Sequence, residues 1–174
     1  MALAGRHAPY ARYTVRASRD RLSVPRHAPA YSWRDDPRVP AFPDDRPLIV
    51  FDGLCVLCSA NAQFVLRHDR QRRFRLTIAQ GPIGEALYRH FGLVKGDYET
   101  LLVLDRGRLL THSDAAIAIA RQLGWPWRAA TVARLVPRPL RDRLYLLIAR
   151  NRYRLFGRRE TCWMPSDKDR ARIL

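Results

Sequence analysis

Leu48-Ile49-Val50-Phe51-Asp52-Gly53-Leu54-Cys55-Val56-Leu57-Cys58 is the stretch from which the fold can be read. Its first four residues form a short, unbroken apolar run. That is the pattern of a strand buried on both faces, as in a parallel sheet. Asp52-Gly53 breaks the run. From about Val56 to His68 the pattern turns helical, with Val56, Ala60 and Phe64 on one stripe. Cys55 and Cys58 therefore fall where a buried strand passes into a helix N-terminus. First-turn N–H groups lack intrahelical partners and the helix dipole is positive there, so both favour a thiolate. Gly53 lets the backbone turn tightly and should leave Cys55 accessible. Cys58, three residues on, shares its helical face and lies within bonding reach. This predicts a dithiol in which Cys55 attacks a disulfide and Cys58 resolves the mixed disulfide.

Beyond this stretch, Phe74, Leu76 and Ile78 alternate with Arg73, Arg75 and Thr77, which predicts a strand. Ile83 to Phe91 reads as a short helix closed by Gly92. Thr100 to Leu104 is a strand, and the turn Asp105-Arg106-Gly107-Arg108 leads to Leu109-Leu110 as a hairpin. Ser113 is a good N-cap for a helix through Leu123, ended by Gly124. The order is β-α-β-α-β-β-α. Its strand–helix–strand start requires a right-handed crossover and a parallel pair. The expected fold is α/β, a thioredoxin-like core over residues 47–124 with an added C-terminal helical segment, 125–174. In that segment Leu140 to about Arg154 places Leu140, Leu144, Leu147 and Ile148 on one face, predicted to pack on the core. Trp163 and Met164 offer a further anchor. Residues 1–46 are rich in Arg and Pro and lack sustained periodicity. They are expected to be mostly disordered and to contribute no core.

The chain has 174 residues, 47% of them apolar, and a formal net charge of +16. Of its 32 basic residues, 30 are Arg. Residues 47–120 hold nine basic and seven acidic side chains, whereas residues 121–174 hold fourteen and four. The positive field thus belongs to the C-terminal third and should attract polyanions. Three cysteines are too few for a disulfide-stapled secreted scaffold. No apolar run approaches the length of a membrane span, and the N-terminus lacks a secretory h-region. The expected location is cytoplasmic, with peripheral membrane contact as an extension of that reading.

Each candidate has a plainer reading beside the chemical one. Cys55 and Cys58 could be small core residues. They could instead be half of a metal site, completed from His68, His90, His112 and Cys162, because a structural zinc needs four ligands. Asp52 is either a proton carrier for Cys58 or a turn residue accepting backbone N–H groups. Cys162 is a second thiol or a packed residue beside Trp163. Arg150, Arg152, Arg154 and Arg158, with Arg159, are candidate anion-binding residues interleaved with Tyr153 and Phe156. Nucleic acid or an anionic membrane would suit that patch, and so would a solvated face. The readings in competition are an enzyme acting on a protein or small-molecule thiol or disulfide, with no cofactor beyond its dithiol, and a non-catalytic basic adaptor.

The motif Asp52-Gly-x-Cys55-x-x-Cys58 resembles the opening of the DCC family of thiol–disulfide oxidoreductases. Further blocks share the likeness: Ser113-Asp-Ala-Ala-Ile, Leu123-Gly124, Pro137-Arg-Pro-Leu-Arg141-Asp142-Arg-Leu-Tyr145, Ala149-Arg-Asn-Arg152-Tyr-Arg-Leu-Phe156-Gly157 and Cys162-x-x-Pro165. The resemblance spans about residues 47–165 and implies a thioredoxin-like fold with a redox-active dithiol. It departs from thioredoxins at two points. Glu99-Thr100 stands where they carry a cis-proline, and Val56-Leu57 separates the cysteines. Both departures leave the direction of electron flow open.

Overall fold

A computed structural model describes residues 28–93, 98, 100–161, 163 and 165–174. Four strands form one mixed sheet: β1 (Leu48–Phe51), β2 (Arg75–Ile78), β3 (Leu102–Asp105) and β4 (Arg108–Thr111), in the order β2-β1-β3-β4. β1 runs parallel to β2, with Ile49 opposite Leu76, and antiparallel to β3, with Ile49 opposite Val103. β3 and β4 are the expected hairpin. The helices are α1 (Val56–His68), α2 (Pro82–His90), α3 (His112–Leu123) and α4 (Arg138–Phe156), with short 3₁₀ turns at Ser32–Asp35, Trp127–Leu135 and Arg170–Arg172. This mixed α/β architecture is the thioredoxin-like order read from the sequence.

Alternation along β1 separates two apolar layers. Ile49 and Phe51 face a layer with Ala62, Val65 and Leu66 of α1 and Ala115 and Ile119 of α3. Leu48 and Val50 face the other, with Leu87 and Tyr88 of α2, Phe91 and Trp33. The continuous apolar run of β1 is thereby explained, since both of its faces are covered. α2 begins with Pro82 in its first turn, where a missing N–H costs nothing. Gly84 then permits close approach to the end of β2. A Cβ there would lie 2.2 Å from the Ile78 carbonyl oxygen. α3 starts two residues earlier than an N-cap at Ser113 predicts, with Thr111 as its N-cap, and the Ser113 hydroxyl instead donates to Asp142 of α4.

Three expectations are corrected. Residues 28–46 are not a coreless extension: Trp33 is 3% exposed, lies near Phe42 and Phe91, and its indole N–H donates to Asp44 at 3.3 Å. Isolated aromatic anchors carry no period, so they do not register as an element. Residues 1–27 lie outside the described residues. On α1 the buried side is Ser59, Ala62, Val65 and Leu66, rather than Val56, Ala60 and Phe64. Phe64 meets His68 and Trp127 at the surface instead. The third correction concerns α4. Leu144 and Leu147 are 61% and 62% exposed, and Leu140 and Ile148 also face outward. The helix docks by its opposite side, through Ala149 and Arg152, with the Tyr145 hydroxyl accepting the Leu101 N–H at 3.0 Å. Arg138 and Arg141 pair with Asp114 of α3 at 2.6 and 2.7 Å. Polar contacts at the helix N-terminus thus set its rotation, which apolar periodicity alone does not reveal. Among the described residues no helix is long and apolar enough to cross a membrane.

Candidate functional site

The turn between β1 and α1 is built around Asp52. Its carboxylate is buried and accepts the Leu54 N–H at 3.0 Å, closing the turn that Gly53 begins. Gln80, just past β2, donates to the same oxygen at 2.6 Å while accepting the Gly53 N–H at 3.1 Å. From α4, Arg152 donates to the other oxygen at 3.2 Å and the Tyr153 hydroxyl donates to it as well. Burial alone would raise the carboxyl pKa. The donors from Tyr153, Gln80, Leu54 and Arg152 outweigh it, and Asp52 lies below its ordinary value.

Arg152 is 4% exposed and so does not belong to the surface patch expected for it. Its guanidinium also donates to the carbonyls of Ala149 (2.8 Å) and Tyr98 (3.1 Å) and lies 4.3 Å from the centre of the Tyr153 ring. Arg150, Arg154 and Arg158 remain on the surface. The expected patch is therefore divided, with Arg152 inside and the other three, together with Arg159, outside.

Cys55 is the N-cap of α1, in an extended conformation, and its Sγ accepts the Cys58 N–H at 3.2 Å. Both thiols are free. The Cys55 thiol is lowered to about 6, first by the hydrogen bond from the Cys58 side chain, then by the Cys58 N–H and the Arg152 charge, against the opposing effect of burial. Cys58 is raised by that same hydrogen bond, by burial and by the charge on Cys55. One proton is thus shared unequally, and it stays on Cys58.

Accessibility differs from expectation. Cys55 has 0% of its surface exposed, whereas Cys58 is partly exposed. The cover is the segment that follows α4. Gly157 (φ 85°) turns the chain back over the dithiol, as its lack of a Cβ permits. The Arg159 N–H donates to the Leu54 carbonyl at 2.7 Å and the Trp163 N–H to the Gly53 carbonyl at 3.0 Å, and Arg158 pairs with Cys55 as an isolated β-bridge. The Trp163 ring packs against Phe51. Cys162 lies outside the described residues. Thr100, which stands in the position discussed above for cis-proline, is buried and accepts the Tyr88 hydroxyl through its carbonyl. Among the described residues no group of three or more His, Cys, Asp or Glu is placed to hold a metal ion.

Gln80 and Tyr153 were missed as members of the site. A signal for Tyr153 existed, because Tyr145, Ala149 and Arg152 recur at helical spacing and Tyr153 follows directly. Gln80 is a single polar residue at a strand end and carries no periodic signal.

The chain is similar to a family of thiol-disulfide oxidoreductases. The pattern described as DCC1-like thiol-disulfide oxidoreductase matches residues 49–158. The uncharacterized protein YuxK of Bacillus subtilis is 35% identical over 127 residues, which cover 73% of this chain and 93% of that protein. A chloroplastic DCC family protein of Arabidopsis thaliana is 33% identical over 120 residues, covering 68% of this chain and 70% of that protein. No solved structure gives a significant match.

Proposed function

Since the chain belongs to the DCC1-like thiol-disulfide oxidoreductase family, we propose that Cys55 and Cys58 are its redox pair, with Cys55 as the attacking thiolate. The Cys55 thiolate attacks one sulfur of a substrate disulfide. A Cys55–substrate disulfide forms and the other substrate sulfur leaves as a thiolate. Cys58 then gives up its proton to solvent or to the departing thiolate and attacks the Cys55 sulfur. The Cys55–Cys58 disulfide forms and the second substrate thiol is released. The substrate gains two electrons and the protein loses two. The reverse sequence oxidises a dithiol substrate, a protein or a small thiol.

The observation that carries this reading is the Cys58 N–H directed at the Cys55 Sγ, at a helix N-terminus, with the Arg152 charge nearby. Asp52 then acts as a positioning residue. Its oxygens are occupied by donors and it stays ionised at neutral pH, which suits an anchor for the turn and for Arg152 better than a proton carrier. For Cys55 to react, the cover formed by residues 157–161 and Trp163 must lift. Among the described residues, backbone hydrogen bonds and the Trp163–Phe51 contact hold it, as in segments that open locally. The full burial of Cys55 favours a second reading, in which the dithiol is structural and the chain is a basic adaptor.

Alkylation of the reduced protein with iodoacetamide separates the two. The Cys55 rate should rise with pH through about 6, because deprotonation there creates the nucleophile. Cys55→Ala should abolish this phase, and Trp163→Ala should speed it by loosening the cover. A Cys55 that stays unmodified until the protein is denatured would establish the structural reading. A Cys58→Ser variant should hold substrates as mixed disulfides on Cys55.

A further inference from the structure

The outward side of α4 carries two features that the redox site does not use. Leu140, Leu144, Leu147, Ile148 and Leu155 are all exposed, at 43% or more. At helical spacing they fall within an arc of about 100°. Arg143, Arg150 and Arg154 are exposed and recur at i, i+7 and i+11, a row along one margin of that arc. The stripe is extended by Leu135 and Trp125, exposed at 84% and 81% on the segment before α4. The helix needs none of these residues to dock, because Ala149, Arg152 and the Asp114 ion pairs hold its other side. An apolar stripe of this extent on an otherwise charged helix marks an interaction surface.

We propose that this face of α4 lies on an anionic lipid surface. The leucines enter the boundary between headgroups and acyl chains, and the Arg row contacts the headgroup charge. Charge complementarity selects this occupant. In a second copy of the chain, the facing surface would present the same Arg row and no acid to pair with it. The one acidic residue of α4, Asp142, is turned inward to Ser113 and Arg138. Residues 1–27 are themselves Arg-rich, with Asp20 their single acid, and so are poorly matched as a cover. A nucleic acid would satisfy the arginines but leave the leucines against water. Anionic lipid satisfies both. The contact is peripheral, since no described helix can span a bilayer.

The test is sedimentation of the full chain with vesicles of phosphatidylcholine alone and of phosphatidylcholine mixed with phosphatidylglycerol. The protein should bind the mixed vesicles, bind the neutral ones poorly and be released by salt. Leu144→Ser with Leu147→Ser should weaken that binding at least about tenfold, because two apolar side chains no longer leave water. The melting temperature and the Cys55 alkylation rate should stay unchanged in this variant, so failure of the surface is distinguishable from failure of the redox reading. Arg143→Glu with Arg154→Glu should abolish the preference for the anionic vesicles. Equal binding to both vesicle types overturns the proposal, and so does no binding to either. It is also overturned if the lipid-free protein forms a dimer that the leucine variant dissolves, or if the protein binds RNA with an affinity the leucine variant leaves intact while ignoring vesicles.

Discussion

Asp52 and Arg152 stand 100 positions apart and meet as a buried ion pair beside the dithiol. Each compensates the other's desolvation, and the neutral donors Gln80 and Tyr153 complete the shell. Breaking such a pair leaves an uncompensated buried charge. Arg152→Ala is therefore expected to destabilise the protein by about 3–5 kcal/mol, measured by denaturant unfolding. It should also raise the pH at which Cys55 becomes reactive, because the Arg152 charge favours the thiolate. Arg154→Ala, two residues on and exposed, should stay within about 0.5 kcal/mol of wild type. In the sequence the two arginines look alike. Helical spacing from Tyr145 and Ala149 could have set Arg152 apart, but the run of neighbouring arginines gave the opposite impression.

α4 is the element in which structure departs most from sequence periodicity. Its leucine face was expected to be buried, and an Asp at Leu147 would then cost several kcal/mol. With Leu147 exposed, Leu147→Asp should shift stability by no more than about 0.5 kcal/mol. Ala149, buried where the helix meets the core, is the sensitive position. Ala149→Leu should cost about 1–3 kcal/mol by overpacking. Thermal melts of the two variants check the rotation of the helix directly, because the reverse rotation predicts the reverse ranking. α1 shows the same effect more mildly. Its bounds, Val56 to His68, are legible in the sequence, yet its inner side is Ser59, Ala62, Val65 and Leu66. Amphipathic periodicity identifies an apolar side, but a helix with two such sides leaves the choice to its partners.

Across the whole molecule, segments remote in sequence close both layers of the sheet. Trp33 covers the layer formed by Leu48, Leu87 and Phe91. At the other end of the chain, Ile173 bridges to Leu76, the Leu174 N–H donates to the Leu76 carbonyl at 2.9 Å, and Arg172 pairs with Asp69. Neither residues 28–46 nor the C-terminal residues 172–174 are an appendage. Trp33→Ala should cost about 3–5 kcal/mol, as expected for a large buried aromatic. Removing residues 1–46 should lower the melting temperature at least as much. An unchanged melting temperature in Trp33→Ala would show that this segment does not contribute to the core.

The sequence by itself determined the β-α-β-α-β-β-α order, the extent of β1 and α1, and the placement of Cys55 and Cys58 at a strand-to-helix junction. These follow from local period, turn residues and capping, all of which act within a few positions. Tertiary structure alone decided the outward rotation of the α4 leucines, the docking of Trp33, the gathering of Gln80, Arg152 and Tyr153 on Asp52, and the cover over Cys55. Each of these depends on which distant surfaces exclude water together. A buried carboxylate takes its partners wherever the fold brings donors to it, and no spacing along the chain records that choice.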